Sequence, residues 1–383
     1  MKSVYLDNGA TSFPKAPGVV EAMVDYMTRV GASVNRGAYE SSHTAERVVF
    51  ETRAALAELF DADKPELAVF TRNITESLNV LLKGFLRPGD HVVTSSVEHN
   101  AVMRPLHALE KQGVRLSRVP CSKEGDLDLV ALEALLSPET RLVVMTHASN
   151  VCGTVLDLEA VGALCRQRGI PFIVDAAQTA GVLPVSMKAL HASAIAFTGH
   201  KSLLGPQGLG GFVICEDFVP RVAPLIEGGT GSRSDSEEQP EFMPDKYESG
   251  TPNIPGIYGL NAALKFLLET ELGAIHEKEM ALTHYFLEGL KKLDHVRIIG
   301  KQDCRQRTAV VSLDFPQEDN GLVSHHLDHQ FGIKTRCGMH CAPAAHKTLG
   351  TFPGGTVRFS LGYFTTLAEL DYTLEAIKTC KNL

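Results

Sequence analysis

Between about residue 65 and residue 215 the chain alternates short β-branched apolar runs with longer stretches in which apolar residues return every three or four positions. The runs 66–70, 91–95, 115–120, 141–147, 171–175, 192–198 and 211–215 predict strands, and 100–112, 127–136 and 157–167 predict helices between them. Repetition of strand, helix and strand predicts a mostly parallel sheet of seven strands with helices on both faces. Sheets of this kind bind ligands beyond the carboxyl ends of their strands, so chemistry is to be sought just after each run. Past the Pro/Gly-rich YESGTPNIPG (247–256) the pattern changes. Two amphipathic helices are expected at 257–272 and 275–293, strands at 308–315 and 356–361, and a last helix at 367–380, which together read as a smaller α+β domain. The polar stretch 228–240 reads as a surface loop.

Composition narrows the choices. At 383 residues, with 44% apolar and 21% charged positions, the chain has the make-up of a globular protein of roughly two or three domains. No apolar run approaches the roughly 20 residues of a spanning helix, and the start, MKSVYLDNGATSFP, has no apolar core of a signal peptide. The cytoplasm is the expected compartment, with no membrane partner. A net charge of −8 and the absence of a basic block argue against nucleic acid as a partner. Eight cysteines scattered over so long a chain predict reduced thiols rather than a disulfide framework.

Several stretches place reactive residues at predicted strand ends. In TRNITESLN (71–79), Asn73 and Glu76 stand at capping spacing ahead of a stripe of Leu78, Leu81, Leu82 and Phe85. A helix starting there turns free N–H groups and the Thr75 hydroxyl toward the sheet edge, where a phosphate can sit, although a plain helix cap fits equally well. Asp175 ends an apolar strand, and a buried carboxylate needs a cationic or hydrogen-bonding partner, such as a protonated pyridine nitrogen. Gln178 follows and can donate to a ring hydroxyl; capping of the next helix is the other reading. In AFTGHKSLLGPQGLGG (196–211) the strand breaks into His200, Lys201 and a glycine-rich turn that lacks both phosphate-loop and dinucleotide spacings. A desolvated lysine there suits a Schiff base to pyridoxal phosphate, against the alternative of an exposed turn lysine. His99 can stack on a heterocycle or be an ordinary histidine, and Asn150 can hydrogen-bond a ring oxygen. In TRCGMHCAPAAHK (335–347) the Cys/His spacing is poor for zinc, so no metal is expected. The loop reads instead as a mobile thiol nucleophile whose pKa a neighbour such as His340 lowers. Arg358, on a predicted strand, can clamp a carboxylate through two parallel hydrogen bonds or form a surface ion pair.

The ordered set YLDNGAT, NRG (35–37), TE (75–76), EHN (98–100), SNVCGT, VDAAQ, TGHK, SGTPN (249–253), RCGMHCAP and VRFSLG resembles the class V aminotransferase family of pyridoxal phosphate enzymes, in its cysteine desulfurase branch, over essentially the whole chain. The resemblance implies an α/β fold of type I. Its large cofactor-binding domain would span 15–256, and its small domain, carrying the nucleophile loop, would combine 1–14 with 257–383. It implies a homodimer using pyridoxal 5'-phosphate and L-cysteine, with sulfur passed on to an acceptor protein or small thiol. By position, Lys201 is then the Schiff-base lysine, Asp175 the partner of the pyridine nitrogen, Gln178 and Asn150 the contacts of the ring hydroxyl, and His99 the stacking and proton-handling residue. Thr75, Glu76, Thr198 and His200 would contact the cofactor, with Thr251 reaching the phosphate of the other subunit. Arg358, assisted by Arg36 and Asn150, would hold the substrate, and Cys341 would accept its sulfur. Selenocysteine lyases, aminotransferases and epimerases share such a pocket without needing that thiol, and a non-catalytic cofactor-binding scaffold is the remaining alternative.

Overall fold

The computed structural model describes residues 3–34, 37–233, 235–381 and 383. Its largest sheet has seven strands in the spatial order Ala68–Thr71, Gly210–Ile214, Ala194–Thr198, Phe172–Asp175, Thr140–Thr146, His91–Ser95 and Arg115–Val119. Gly210–Ile214 runs antiparallel to both its neighbours and the other six strands share one direction, so six carboxyl ends lie along one edge. All seven predicted runs are strands, with ends shifted by a residue or two. Inner strands are buried, apart from Arg141, because helices cover both faces, and their residues alternate between two cores. Val93, Val143, Val174 and Phe197 point into one core; Val92, Leu142, Ile173 and Phe212 point into the other. Exposed charges on the sheet are Arg141 near the start of Thr140–Thr146 and, on the edge strand Arg115–Val119, Arg115 and Arg118, the last two discouraging further strand pairing. Gly211 is needed where it stands, since a Cβ there would lie 2.2 Å from the Val69 carbonyl oxygen and 2.6 Å from the Phe197 ring.

Local chemistry sets the helix starts. Asp128 accepts from the Ala131 N–H (2.9 Å) and Asp157 from that of Ala160 (3.1 Å), so the helices Leu129–Leu135 and Leu158–Arg168 begin just after these caps. The helix expected from 257 starts earlier, at Ile254, because Asn253 caps it through the Gly256 N–H (3.1 Å) and Pro255 is tolerated in a first turn. It runs to Thr270, and the next helix spans Leu272–Leu290. The strand pattern did not reveal the helices Val19–Asp25, Glu40–Leu59 and Asn320–Phe331 or the strands Arg297–Ile299 and Arg336–Gly338.

A second, four-stranded antiparallel sheet has the order Arg336–Gly338, Thr356–Ser360, Val310–Asp314 and Arg297–Ile299. Its core contains Phe286, Leu287, Val311, Val357, Phe359 and Ile377, joined by Val4 and Leu6 from the start of the chain. Val4–Tyr5 pairs in parallel with Ile333–Lys334, which fixes the amino-terminal segment to this region. Ile257, Leu260, Leu264 and Leu267 of the helix Ile254–Thr270 belong to a core of the large sheet, and the smaller core takes over within the following helix, from Leu282 onward. The described residues of 228–240 form no helix or strand but are tied down: the Gln239 side chain contacts the Gly228 N–H, the carbonyls of Asp245 and Lys246 and the Ser249 hydroxyl. Among the described residues no helix is long and apolar enough to cross a membrane.

Candidate active site

Asp175 is the last residue of its strand and is buried, with Oδ1 accepting the Ala177 N–H at 2.9 Å. Burial raises its pKa, while the positive charge of Lys201 opposes that rise. Lys201 lies in the turn that follows Ala194–Thr198. Desolvation pushes its amine down to about 8; Asp175 pulls the other way, and Arg358 and Arg336 push further down. A lysine so placed holds a substantial unprotonated fraction near neutral pH, as a nucleophilic amine or proton acceptor requires.

His99 caps the helix Asn100–Glu110 by accepting the Ala101 N–H on Nδ1 (3.0 Å), which leaves the proton of the neutral ring on Nε2. Burial, aided by Lys201, Arg358, Arg336 and Arg104, pushes its pKa down to about 3, so the ring stays neutral. Beside it Glu98, which pattern reading passed over, is completely buried. It accepts from the Ser95 hydroxyl (2.6 Å) and the Thr146 N–H (3.0 Å), and burial pushes its carboxyl up to about 8.

Three buried polar atoms at the same strand ends have no protein partner: Asn150 Oδ1, Thr198 Oγ1 and His200 Nδ1. Asn150 donates through Nδ2 to the His340 carbonyl (2.7 Å), and Gln178 donates to the Gly9 carbonyl (3.1 Å). Burial, with Lys201 and Lys15 adding to it, pushes His200 down to about 4.

Arg358 lies on the central strand Thr356–Ser360 of the smaller region and is buried, which rules out the surface ion pair. Its Nη2 contacts Asp7 at 2.9 Å, its Nη1 donates to the Asn150 carbonyl at 3.1 Å, and its Nε has no partner. Directly opposite, in register on the neighbouring strand, stands Arg336, whose charge acts on Lys201, His99 and Arg358. Neither Asp7 nor Arg336 was picked out from the sequence; YLDNGAT and RCGMHCAP contain them, but only strand pairing brings them beside Arg358.

Cys341 is exposed, and its charge acts on both Lys201 and Arg358. The loop is held at two points: the Cys341 carbonyl accepts the Asn100 N–H (2.8 Å), and the His340 carbonyl accepts from Asn150. Both residues take positive φ, 47° at His340 and 57° at Cys341, a tight turn held by these bonds. One expectation for this loop needs correction: His340 does not supply a cation to the thiol. Its ring is buried against the Thr356 hydroxyl (2.8 Å), and burial, with Arg358 contributing, pushes it down to about 2. Cys337 sits on the strand Arg336–Gly338 with its Sγ beside Gly321, at the start of the helix Asn320–Phe331.

Thr75 and Glu76 follow the edge strand Ala68–Thr71, at the same carboxyl edge of the sheet. Thr75 is exposed in the first turn of Ile74–Phe85, and the Glu76 carboxylate is taken up by Arg72, through its N–H (2.7 Å) and Nη2 (2.9 Å). Asn73 caps that helix as expected, accepting the Glu76 N–H. Thr251 is exposed and lines a cavity of about 290 Å³ together with Glu76, Arg72 and Glu248, and Lys201 is not among its lining residues. Arg36 lies outside the described residues.

Over residues 4–373 the sequence matches the family described as aminotransferase class-V. The chain belongs to that family. The chain is 34% identical over 382 residues to a probable cysteine desulfurase of Pyrococcus abyssi, covering 98% of this chain and 93% of that protein. It is 33% identical over 393 residues to the cysteine desulfurase IscS of Vibrio campbellii, covering 98% and 92%. An apo structure of a cysteine desulfurase from Thermococcus onnurineus NA1 superposes with a TM-score of 0.93 at 35% identity, covering 99% of this chain and 94% of that one. The fold is therefore the type I fold expected from the sequence, and the seven-stranded, mostly parallel sheet is its centre.

Proposed function

We propose that this protein is a pyridoxal-phosphate-dependent cysteine desulfurase that converts L-cysteine to L-alanine and receives the sulfur on Cys341 as a persulfide. The observation that carries this reading is that the exposed Cys341 is tied through its carbonyl to the Asn100 N–H, next to His99, and acts electrostatically on Lys201, which is itself coupled to the buried Asp175. The residues suit the cofactor. Thr198 Oγ1 and His200 Nδ1 are buried hydrogen-bonding atoms without protein partners, as a phosphate would need, and Asp175 is a buried carboxylate fit to hold a protonated ring nitrogen. When bound, pyridoxal phosphate supplies an electron sink for bonds broken at the substrate α-carbon.

The chain supplies the rest. Lys201 would hold the cofactor through its amine and would accept the Cα proton of the substrate. His99, neutral and oriented by its cap, would stack on the cofactor ring and carry a proton on Nε2. Arg358 presents its fork to the substrate carboxylate, with Asp7 keeping the buried guanidinium compensated. The Cys341 thiolate attacks the substrate sulfur: an S–S bond forms, the Cβ–S bond breaks with its electron pair going to carbon, one proton completes the methyl group at Cβ, and the proton held by Lys201 returns to Cα to give alanine. An acceptor protein or small thiol then takes the terminal sulfur.

The same reading makes the enzyme a homodimer in which the exposed Thr251 serves the phosphate site of the other subunit. It keeps the two-domain division, 15–256 against 1–14 with 257–383, the helix Ile254–Thr270 being the connecting element. The test is to incubate the purified holoenzyme with a panel of amino acids and reductant. Matched release of alanine and sulfide from L-cysteine is expected; amino-group exchange without sulfide would move the protein to another activity of its family.

A further inference from the structure

Residues 7–15 of the amino-terminal segment cross behind the site and touch three of its parts. Asp7 meets Arg358, the Gly9 carbonyl takes the Gln178 amide, and residues 11–15 close around the turn that carries Lys201. The passage is tight: a Cβ on Gly9 would lie 2.7 Å from Ser360 Oγ and 3.3 Å from Arg358 Cζ. At its far end four donors converge on a single acceptor, the carbonyl of His200. These are the Ser12 N–H (2.8 Å), Thr11 Oγ1 (3.1 Å), Ser12 Oγ (3.2 Å) and the Lys15 amine (3.1 Å). Lys15 also reaches Thr11 Oγ1 (3.2 Å) and Ser12 Oγ (3.1 Å).

These contacts are unusual for a lysine. None is a carboxylate, and the amine is half-buried rather than extended into water. A cation in such a place is held by neutral oxygens alone, so an anion brought nearby gains from its charge. The anion expected here is the cofactor phosphate beside Thr198 and His200, and the Lys15 charge already acts on the His200 ring.

We propose that Lys15 is a positioning residue for the cofactor: its ammonium grips the His200 carbonyl, fixes the peptide leading to Lys201, and adds positive charge behind the phosphate site. This rests on the reading of the protein as a pyridoxal phosphate enzyme. Thr11 and Ser12 complete the grip, but only Lys15 brings charge. Burial, which pushes the amine down to about 8, is consistent with a cation held in a poorly solvated place.

Apo-protein titrated with pyridoxal phosphate gives the test, with dissociation constants read from cofactor absorbance and melting of the apo-protein run alongside. Lys15→Met should weaken cofactor binding about tenfold, the worth of one charge-assisted hydrogen bond, while the melting point of the apo-protein stays put. Lys15→Arg, which keeps the charge, should recover most of that loss, and Ser12→Ala should lose less than Lys15→Met. Unchanged cofactor affinity in Lys15→Met would overturn the proposal, as would a lowered apo melting point with unaltered affinity in the folded fraction. Equal losses in the Met and Arg variants would also overturn it, since charge would then not be what matters. A wild-type protein that fails to bind pyridoxal phosphate would instead overturn the functional reading itself.

Discussion

The strand-end cluster and the Cys341 loop face the same space but are built in opposite ways. Asp175, Glu98 and His99 stand on or beside buried strands, and their surroundings push every titratable group among them toward its neutral form. Cys341 is exposed, on a turn hung from the large sheet by two hydrogen bonds to main-chain carbonyls. Desolvation strengthens the electrostatics that hold a cofactor and tune a lysine. A thiol that must meet substrate on one side and a sulfur acceptor on the other has to remain accessible. The anchoring reconciles the two needs, since it places an exposed nucleophile without burying it.

The largest effect should come from the buried side. Lys201→Ala is expected to lower cysteine turnover by about a thousandfold or more, and borohydride reduction of the wild-type holoenzyme should fix the cofactor to the peptide containing Lys201. Label on another lysine would remove this residue from the centre of the site. On the exposed side, Cys341→Ala should reduce sulfide release by about a hundredfold and abolish persulfide, yet retain the cofactor and its spectral response to L-cysteine. Cys337→Ala, with its sulfur turned to the helix Asn320–Phe331, should stay within about twofold of wild type, as exposed substitutions away from a site do. If Cys337→Ala is the inactive variant, the contrast has been drawn around the wrong thiol.

A third experiment asks whether the cluster is completed by a second chain. Thr251→Ala should weaken cofactor retention, and mixing inactive Lys201→Ala with Thr251→Ala subunits should restore activity in heterodimers, where one of the two pockets carries neither lesion. No recovery in verified heterodimers would confine the site to one subunit. The smallest effect concerns stability. Glu98 has its pKa raised by burial from 4.5 to about 8, so the folded protein holds a proton there that the unfolded chain gives up in this range. Its contribution is therefore complete below about pH 4.5 and is lost as pH rises toward 8. Melting curves of Glu98→Gln should fall less steeply over that interval than those of wild type; parallel slopes would mean that Glu98 titrates normally.

Much of the site was legible because strand-end chemistry is local. The apolar runs ending at Asp175 and Thr198 predicted where Asp175, His200 and Lys201 would emerge, and a parallel sheet lines up such ends whatever the rest of the chain does. The helix cap at Asn73 is equally local and came out where its spacing placed it.

What the sequence determined by itself, then, was the series of buried strands and the residues at their ends, since side-chain period and burial act over a few neighbouring positions. The tertiary structure alone decided which distant groups meet: Asp7 against Arg358, Arg336 opposite it, the Asn100 N–H on Cys341, and Lys15 on His200. It also decided the state of His340, which beside a cysteine in sequence reads as its activating base and in the folded chain is a buried neutral ring bonded to Thr356. The reason is physical. Charge, burial and hydrogen-bond partners are set by whatever the fold brings within a few ångströms, and between Asp7 and Arg358 that neighbour lies on the far side of the chain.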